Sequence, residues 1–353
     1  MEVIDEQLES LSKNREKWAN MSYSEKLEIL KEIYYIFSTD VAHEEWARES
    51  LAAQGYTLVL PEVLLAVEII VTTSVIAKDL LSLIELYKSL AKSDKPLPII
   101  KSRSFASDAS DTIACTAAEV FPYSSSDSMG PDADWRVEVW VDGEEIQQSV
   151  PPREGRLCLL LGAGNQTALA FCDALHYLFV ESMTVAVKHH PIRGFSHKWM
   201  LKIFQPLIRR GFLASTVGGV TESKQLLGDK RIDHVHITGG KATHDMIVWG
   251  DLVKREKKIL KVPITSELGA VTPCIIGPGD SSAWSKAEID HHAKYFVTCL
   301  MSNNGCNCMG FQFLFLPSRG FPAEDFLKAV REVMEARPHS APYYPGTRER
   351  YKR

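Results

Sequence analysis

The chain has 353 residues, 45% of them hydrophobic and 24% charged, with a formal net charge of −5. That length suggests about two domains and allows a sizeable core. The acidic balance excludes the basic footprint that nucleic-acid binding requires.

The first residues, Met1 to Glu9, are acidic and show no basic segment followed by an apolar one, so no secretory signal is read. The most apolar window, Val63 to Ala77, contains Glu68 and is flanked by Glu62 and Lys78. It is too short and too charged to span a bilayer, and a buried helix is expected. Seven cysteines without regular spacing fit a reducing compartment, the cytoplasm, better than a disulfide framework.

Residues up to about 100 read as helices. Ser22 and Glu25 have the spacing of a capping box, ahead of an amphipathic run through Leu27, Ile29, Leu30, Ile33 and Phe37. Further helices are predicted near Leu58–Ile70 and over Leu80–Leu90, the latter ending before Pro96 and Pro98. Trp18, His43 and Trp46 read as surface or core residues. Residues 101–133 have the Ser, Asp and Ala content of a loop or linker. Trp135 to Val141 alternates as a strand, and Asp142-Gly143 signals a hairpin turn.

From Arg156 the pattern becomes strand, turn, helix, repeated. Strands are predicted at Leu157–Leu161, Thr184–Lys188, Ala214–Gly218, His234–Thr238 and Ile259–Ser266. Helices are predicted at Leu169–Phe179, His197–Arg210, Thr221–Leu227 and Thr243–Glu256. This alternation implies an α/β fold with a mostly parallel sheet, whose sites lie beyond the carboxyl ends of its strands. Asn165, Lys188, Gly218, Thr238 and Glu267 all fall at such ends.

Several of these positions admit two readings. Gly162-x-Gly164 follows a strand and opens a helix, yet the third glycine of a dinucleotide fingerprint is missing, and Lys188 stands where an acidic residue would hold a ribose. Asn165 is either a helix N-cap or a polar group facing a site. Thr238-Gly239-Gly240 is either a tight turn or a loop whose amides approach a phosphate. His189 and His190 read as exposed loop residues, and no third ligand nearby suggests a metal. Glu267 lies among Pro263, Ile264 and Leu268, where burial would raise its pKa toward that of a general base; the alternative is a surface carboxylate. Cys306 and Cys308 sit in a loop of small and amide residues.

Two segments carry a resemblance. Glu267-Leu268-Gly269 and Asn303-x-Gly305-Cys306-x-Cys308 resemble the Glu-Leu-Gly-Gly and Asn-x-Gly-Gln-x-Cys segments of the aldehyde dehydrogenase superfamily, with Ala270 in place of a glycine and Cys306 in place of the glutamine. The resemblance is firm from Leu157 to Phe315 and weaker before Arg156. It implies a parallel, Rossmann-like cofactor sheet with N-terminal helices and a second, catalytic α/β domain, here incomplete. The corresponding division is 1–133 (helical part plus linker), 134–155 (a β-hairpin used in oligomerisation), 156–268 (dinucleotide-binding domain) and 269–353 (part of the catalytic domain).

By the same resemblance Cys308 is the nucleophile, Glu267 the base that activates water, and Asn165 a donor to the oxyanion. Lys188, Gly218, Thr238, Gly239, Gly240 and Leu268 fall at cofactor-binding positions. Pro191, where many NAD-preferring members carry a glutamate, admits either NAD or NADP; a residue other than His244 is usual in the phosphate loop. The implied partners are a small aldehyde and further copies of the chain, with no metal, nucleic acid or membrane. The family's Glu-x-Phe-Gly-Pro segment does not occur between Cys308 and Arg353. Two alternatives therefore stand beside aldehyde oxidation: a catalytically impaired protein that keeps dinucleotide binding, and an acylating reductase. The glutamate at 267 favours hydrolysis over the latter.

Overall fold

A computed structural model describes residues 2–56, 62–99, 101–107, 110–122, 135–143, 146–253, 255–277, 284–337 and 342–352. Four helices open the chain: α1 (Glu2–Ala19), α2 (Tyr23–Thr39), α3 (His43–Ala53) and α4 (Glu62–Ser93). The capping box at α2 is present. Ser22 Oγ accepts from the Glu25 amide, and Glu25 Oε2 accepts from the Ser22 amide. The two helices expected between 58 and 90 are one, α4; residues 57–61 lie outside the described set.

The stretch read as linker instead contains β1 (Lys101–Ser107) and β2 (Ser110–Phe121), which pair antiparallel. Short Ser, Thr and Ala side chains hid their alternation, because backbone pairing does not require bulky residues. Residues 123–134 fall outside the described set. β3 (Val137–Asp142) joins β2, giving a three-stranded sheet in the order β1-β2-β3. The expected hairpin after Asp142-Gly143 is not found: β3 turns back on β2, and the described residues from 146 to 156 form no strand.

The central sheet is as the alternation implies. β4 (Leu157–Leu161), β5 (Thr184–His189), β6 (Leu213–Val217), β7 (His234–Thr238) and β8 (Ile264–Glu267) run parallel in the order β6-β5-β4-β7-β8. Successive side chains of a strand face opposite sides. Cys158 and Leu160 therefore pack into a core with α2, α4 and α5 (Leu169–Leu175), while Leu157, Leu159 and Leu161 meet Leu8 and Leu11 of α1 on the other face. Covering both faces explains why β4 is apolar throughout. The remaining crossovers are α6 (Ser196–Ile203), α7 (Gln205–Ile208), α8 (Val220–Leu227) and α9 (Lys241–Trp249). α6 and α7 replace one expected helix because Pro206 lacks the amide needed to continue it. α9 stops at Gly250, whose φ of +72° suits glycine, so the helix is shorter than expected.

Beyond β8 lies a smaller layer. β9 (Thr272–Ile275) and β10 (Phe311–Phe315) form a two-stranded parallel sheet, with α10 (Lys286–Leu300) and α11 (Ala323–Ala336) on one face. Among the described residues the opposite face is uncovered: Ile275, Phe313 and Phe315 are 74%, 54% and 56% exposed. Among the described residues, no helix is long and apolar enough to cross a membrane.

Candidate active site

The parallel sheet brings the sequence candidates to one edge. Leu161 at the end of β4 is in register with Lys188, Lys188 with Thr216, and Thr238 with Glu267. Gly218 follows β6 directly, and Asn165 lies in the loop between β4 and α5.

Lys188 is buried, and its Nζ donates to the Gly218 carbonyl at 3.1 Å. Burial lowers its pKa, partly offset by Glu222. Glu222 also accepts from the Gly219 amide at 2.7 Å. A Cβ at Gly218 would lie 2.5 Å from the Glu222 Cβ, so this close approach needs glycine. On the neighbouring strands, the Gly239 amide donates to the Glu267 carbonyl at 2.9 Å, tying the two loops together. Nothing lies within 4 Å of a Cβ built on Gly240, the residue preceding α9. That open cradle at a helix N-terminus fits a phosphate group. His244 does not intrude, because its ring turns toward Asp245 at 3.2 Å.

The burial expected for Glu267 is not found. Its side chain is exposed, because β8 is an edge strand with no helix beyond it. A half-buried carboxyl does lie here, Asp173 on α5, which no sequence motif marks. It accepts from Thr238 Oγ1 at 3.4 Å and lies 3.7 Å from His236 Nε2. Burial pushes Asp173 up to about 7, and burial holds His236 down at about 4. The expected exposure of His189 is also corrected: it is 1% exposed, with Nε2 3.1 Å from Ser215 Oγ. His190 is half-buried.

The cysteine loop is held from several sides. Asn303, Asn304 and Gly305 adopt φ of 51°, 55° and 75°. Left-handed backbone is costly for most residues and tolerable for Asn and Gly, which explains this composition. Asn304 donates to the Gln54 carbonyl and accepts from Tyr56 Oη, pinning the loop to the end of α3. Asn303 Nδ2 donates to the Asn165 carbonyl at 2.7 Å, and Asn165 Nδ2 donates to the Cys306 carbonyl at 3.0 Å. Asn165 is therefore not an N-cap; α5 has no side-chain cap. Thr272 on β9 donates to the Cys308 carbonyl at 3.1 Å. The structure thus joins Asn165 to the cysteine loop at Cys306, while Cys308 sits on the β9 side.

Beneath this junction lies Arg193, 2% exposed. It donates to the carbonyls of Gly164 and Asn165, to Ser50 Oγ and to Thr167 Oγ1. The Ser50 hydroxyl in turn donates a hydrogen bond to Glu68, which supplies the negative charge at one remove. Tyr343 and Tyr344 approach from above. Tyr343 Oη donates to Asn303 Oδ1 at 2.9 Å, and the Tyr344 ring stacks on His190 at 5.7 Å. Ser50, Thr167 and Arg193 had no local sequence signal. All seven cysteines are free thiols, and among the described residues no cluster of His, Cys, Asp and Glu is arranged to hold a metal.

No protein-family model and no curated protein sequence matches this chain. Solved structures do. One is an NADP-dependent glyceraldehyde-3-phosphate dehydrogenase from Bacillus halodurans, complexed with NADP. It is 15% identical with a TM-score of 0.57, over 97% of this chain and 58% of that one. An aldehyde dehydrogenase from Pseudomonas syringae, in complex with NAD+ and octanal, gives 13% identity and a TM-score of 0.60 over 94% and 54%. A salicylaldehyde dehydrogenase from Pseudomonas putida, complexed with salicylaldehyde, gives 15% and 0.55 over 98% and 60%.

The chain has the aldehyde dehydrogenase fold. At these identities the likeness concerns architecture alone. The chain spans a little over half the length of the aldehyde dehydrogenase structures it matches.

Proposed function

We propose that the chain is a nicotinamide-dinucleotide-binding oxidoreductase of the aldehyde dehydrogenase kind, turning an aldehyde into a carboxylic acid through a cysteine thioester. The observation that carries the reading is the gathering of Asn165, Lys188, Gly218, Thr238 and Glu267 on one edge of a parallel sheet, next to a loop with two thiols. The open Gly239-Gly240 cradle supports a dinucleotide pyrophosphate there, with Leu268 on the adjoining loop, and the Lys188–Gly218 contact supports the adenosine half.

In this reading the Cys308 thiolate adds to the aldehyde carbon, and the side-chain amide of Asn165 donates to the resulting oxyanion. NAD or NADP, when bound, takes up the hydride. Glu267 then draws a proton from water, whose oxygen attacks the thioester carbon and releases the Cys308 thiolate and the acid. The exposed position of Glu267 suits contact with water and with a proton acceptor outside. The free cysteines accord with a reducing compartment such as the cytoplasm. The antiparallel β1-β2-β3 sheet, with Val137, Val139 and Trp140 exposed, is the surface we assign to homo-oligomer contacts.

A second reading has a specific observation in its favour. One of the two Asn165 Nδ2 hydrogens is engaged with the Cys306 carbonyl, which holds the amide against Cys306 rather than Cys308. The chain by itself would then bind dinucleotide and turn over slowly or not at all. Misplacing reacting groups by ~1 Å costs about a hundredfold in rate. Calorimetry with NAD and with NADP, followed by an assay with simple aldehydes, separates the readings. We expect binding of at least one dinucleotide with little oxidation. Failure to bind either would remove both readings, and brisk oxidation would remove the second.

A further inference from the structure

The geometry points to residues 342–346 as a strap that closes over the Asn165–Cys306 junction and must lift before a carbonyl ligand reaches it. Tyr343 Oη donates to Asn303 Oδ1 at 2.9 Å and, burial apart, lies near enough to the Cys306 thiol for that group to raise its pKa. One residue on, Tyr344 covers the Gly162–Gly164 turn. A Cβ built on Gly164 would lie 2.6 Å from its Oη and 2.9 Å from His190 Nδ1. The strap thus occupies the space directly over the loop from which Asn165 points at Cys306. Both tyrosines are half-buried, and burial raises the pKa of each, so both are neutral hydroxyls at physiological pH.

The attachments suit a part that opens. Among the described residues, no backbone hydrogen bond ties 342–346 to the sheet or to the cysteine loop; the segment's own two bonds run from the Thr347 amide to the Tyr344 carbonyl and from the Arg350 amide to the Gly346 carbonyl. It is held by one ring stack and by hydroxyl contacts. A segment with few packed contacts and no ladder bonds opens locally at a small fraction of the global unfolding free energy. Pro342 and Pro345 flank the two rings, and Gly346 has a φ of +77°. The prolines restrict the backbone between them and Gly346 supplies a permissive pivot beside them, so the strap is expected to move as a stiff unit.

The proposal depends on the reading above only in naming a carbonyl ligand. Its test uses neither dinucleotide nor aldehyde, so the two fail separately. The purified 353-residue chain is treated with N-ethylmaleimide, and modification of each cysteine is followed in time by mass spectrometry. Cys299 on α10, half-buried, is the internal control. In the double variant Tyr343→Ala, Tyr344→Ala, Cys306 should react about tenfold faster, with Cys299 unchanged. An unchanged Cys306 rate overturns the proposal. So does an equal rise at Cys306 and Cys299, which would mean general loosening. Should the double variant not fold, Tyr343→Phe decides: it removes only the hydroxyl contacts and should accelerate Cys306 by roughly threefold. A wild-type rate in that variant counts against the strap.

Discussion

Arg193 donates from its guanidinium to the backbone carbonyl of Asn165, and so sets the residue whose side chain meets the cysteine loop. This arginine is buried with no carboxylate in direct contact among the described residues. Its charge is met by two carbonyls, two hydroxyls and, beyond Ser50, Glu68. A planar fork can satisfy such a set of acceptors, and a single ammonium cannot.

Replacing Arg193 by Met should therefore destabilise the chain by about 3 kcal/mol, because buried carbonyls lose their donors. Arg193→Lys should recover less than half of that. Urea midpoints for the three proteins measure it; a lysine variant as stable as the wild type would show that the fork is not needed.

The thiol assignment is tested by an electrophilic aldehyde analogue, with adducts mapped with and without NAD or NADP. The Asn-x-Gly-x-x-Cys spacing predicts Cys308. Labelling that settles on Cys306 would follow the hydrogen bonds instead, and would move the nucleophile by two residues. Asn165→Ala should slow adduct formation about a hundredfold if its amide serves the oxyanion.

Asp173 makes stability depend on pH. Its carboxyl titrates at about 7 when folded, against about 4 for a free side chain. The folded state thus holds the proton more tightly, and the stability this provides is complete below pH 4 and lost as pH rises through 7. Asp173→Asn should be more stable than wild type at pH 8.5, by of order 2 kcal/mol, with the gain shrinking toward pH 4. Thermal melts across that range would contradict the assignment if the gain were larger at the acid end.

Two glycines make a paired control on backbone approach. A Cβ at Gly155 would lie 2.7 Å from the Glu16 amide and 2.8 Å from the Arg15 carbonyl carbon, both backbone atoms of α1. Gly155→Ala should lower stability by roughly 2 kcal/mol, whereas Gly240→Ala, in open space, should change it by under about 0.5 kcal/mol. The Gly240 variant should nonetheless weaken NAD or NADP binding, since the added methyl enters the phosphate cradle. Unaltered affinity would argue for a simple turn at that position.

The central sheet was legible because its strands are buried on both faces and read as unbroken apolar runs, as at Leu157–Leu161. β1 and β2 were not, since their Ser- and Ala-rich sequences imitate a linker. The strand-end positions of Lys188, Thr238 and Glu267 followed from the alternation of elements. The exposure of Glu267 did not, because it depends on what lies beyond β8 rather than on its sequence neighbours. Arg193 and Asp173 were missed for one physical reason: each acquires its partners from a distant segment, and no local pattern marks such a residue.

The bare face of β9 and β10 bears on how the polypeptide behaves outside a dilute tube. Parallel strands are ordinarily shielded on both sides, and exposed apolar strands template pairing with other chains. Ile275, Phe313 and Phe315 form such a surface. Concentrated samples should cloud and build β-rich aggregates, and Phe313→Lys with Phe315→Glu should delay this without disturbing the five-stranded sheet. Light scattering against protein concentration would register the difference.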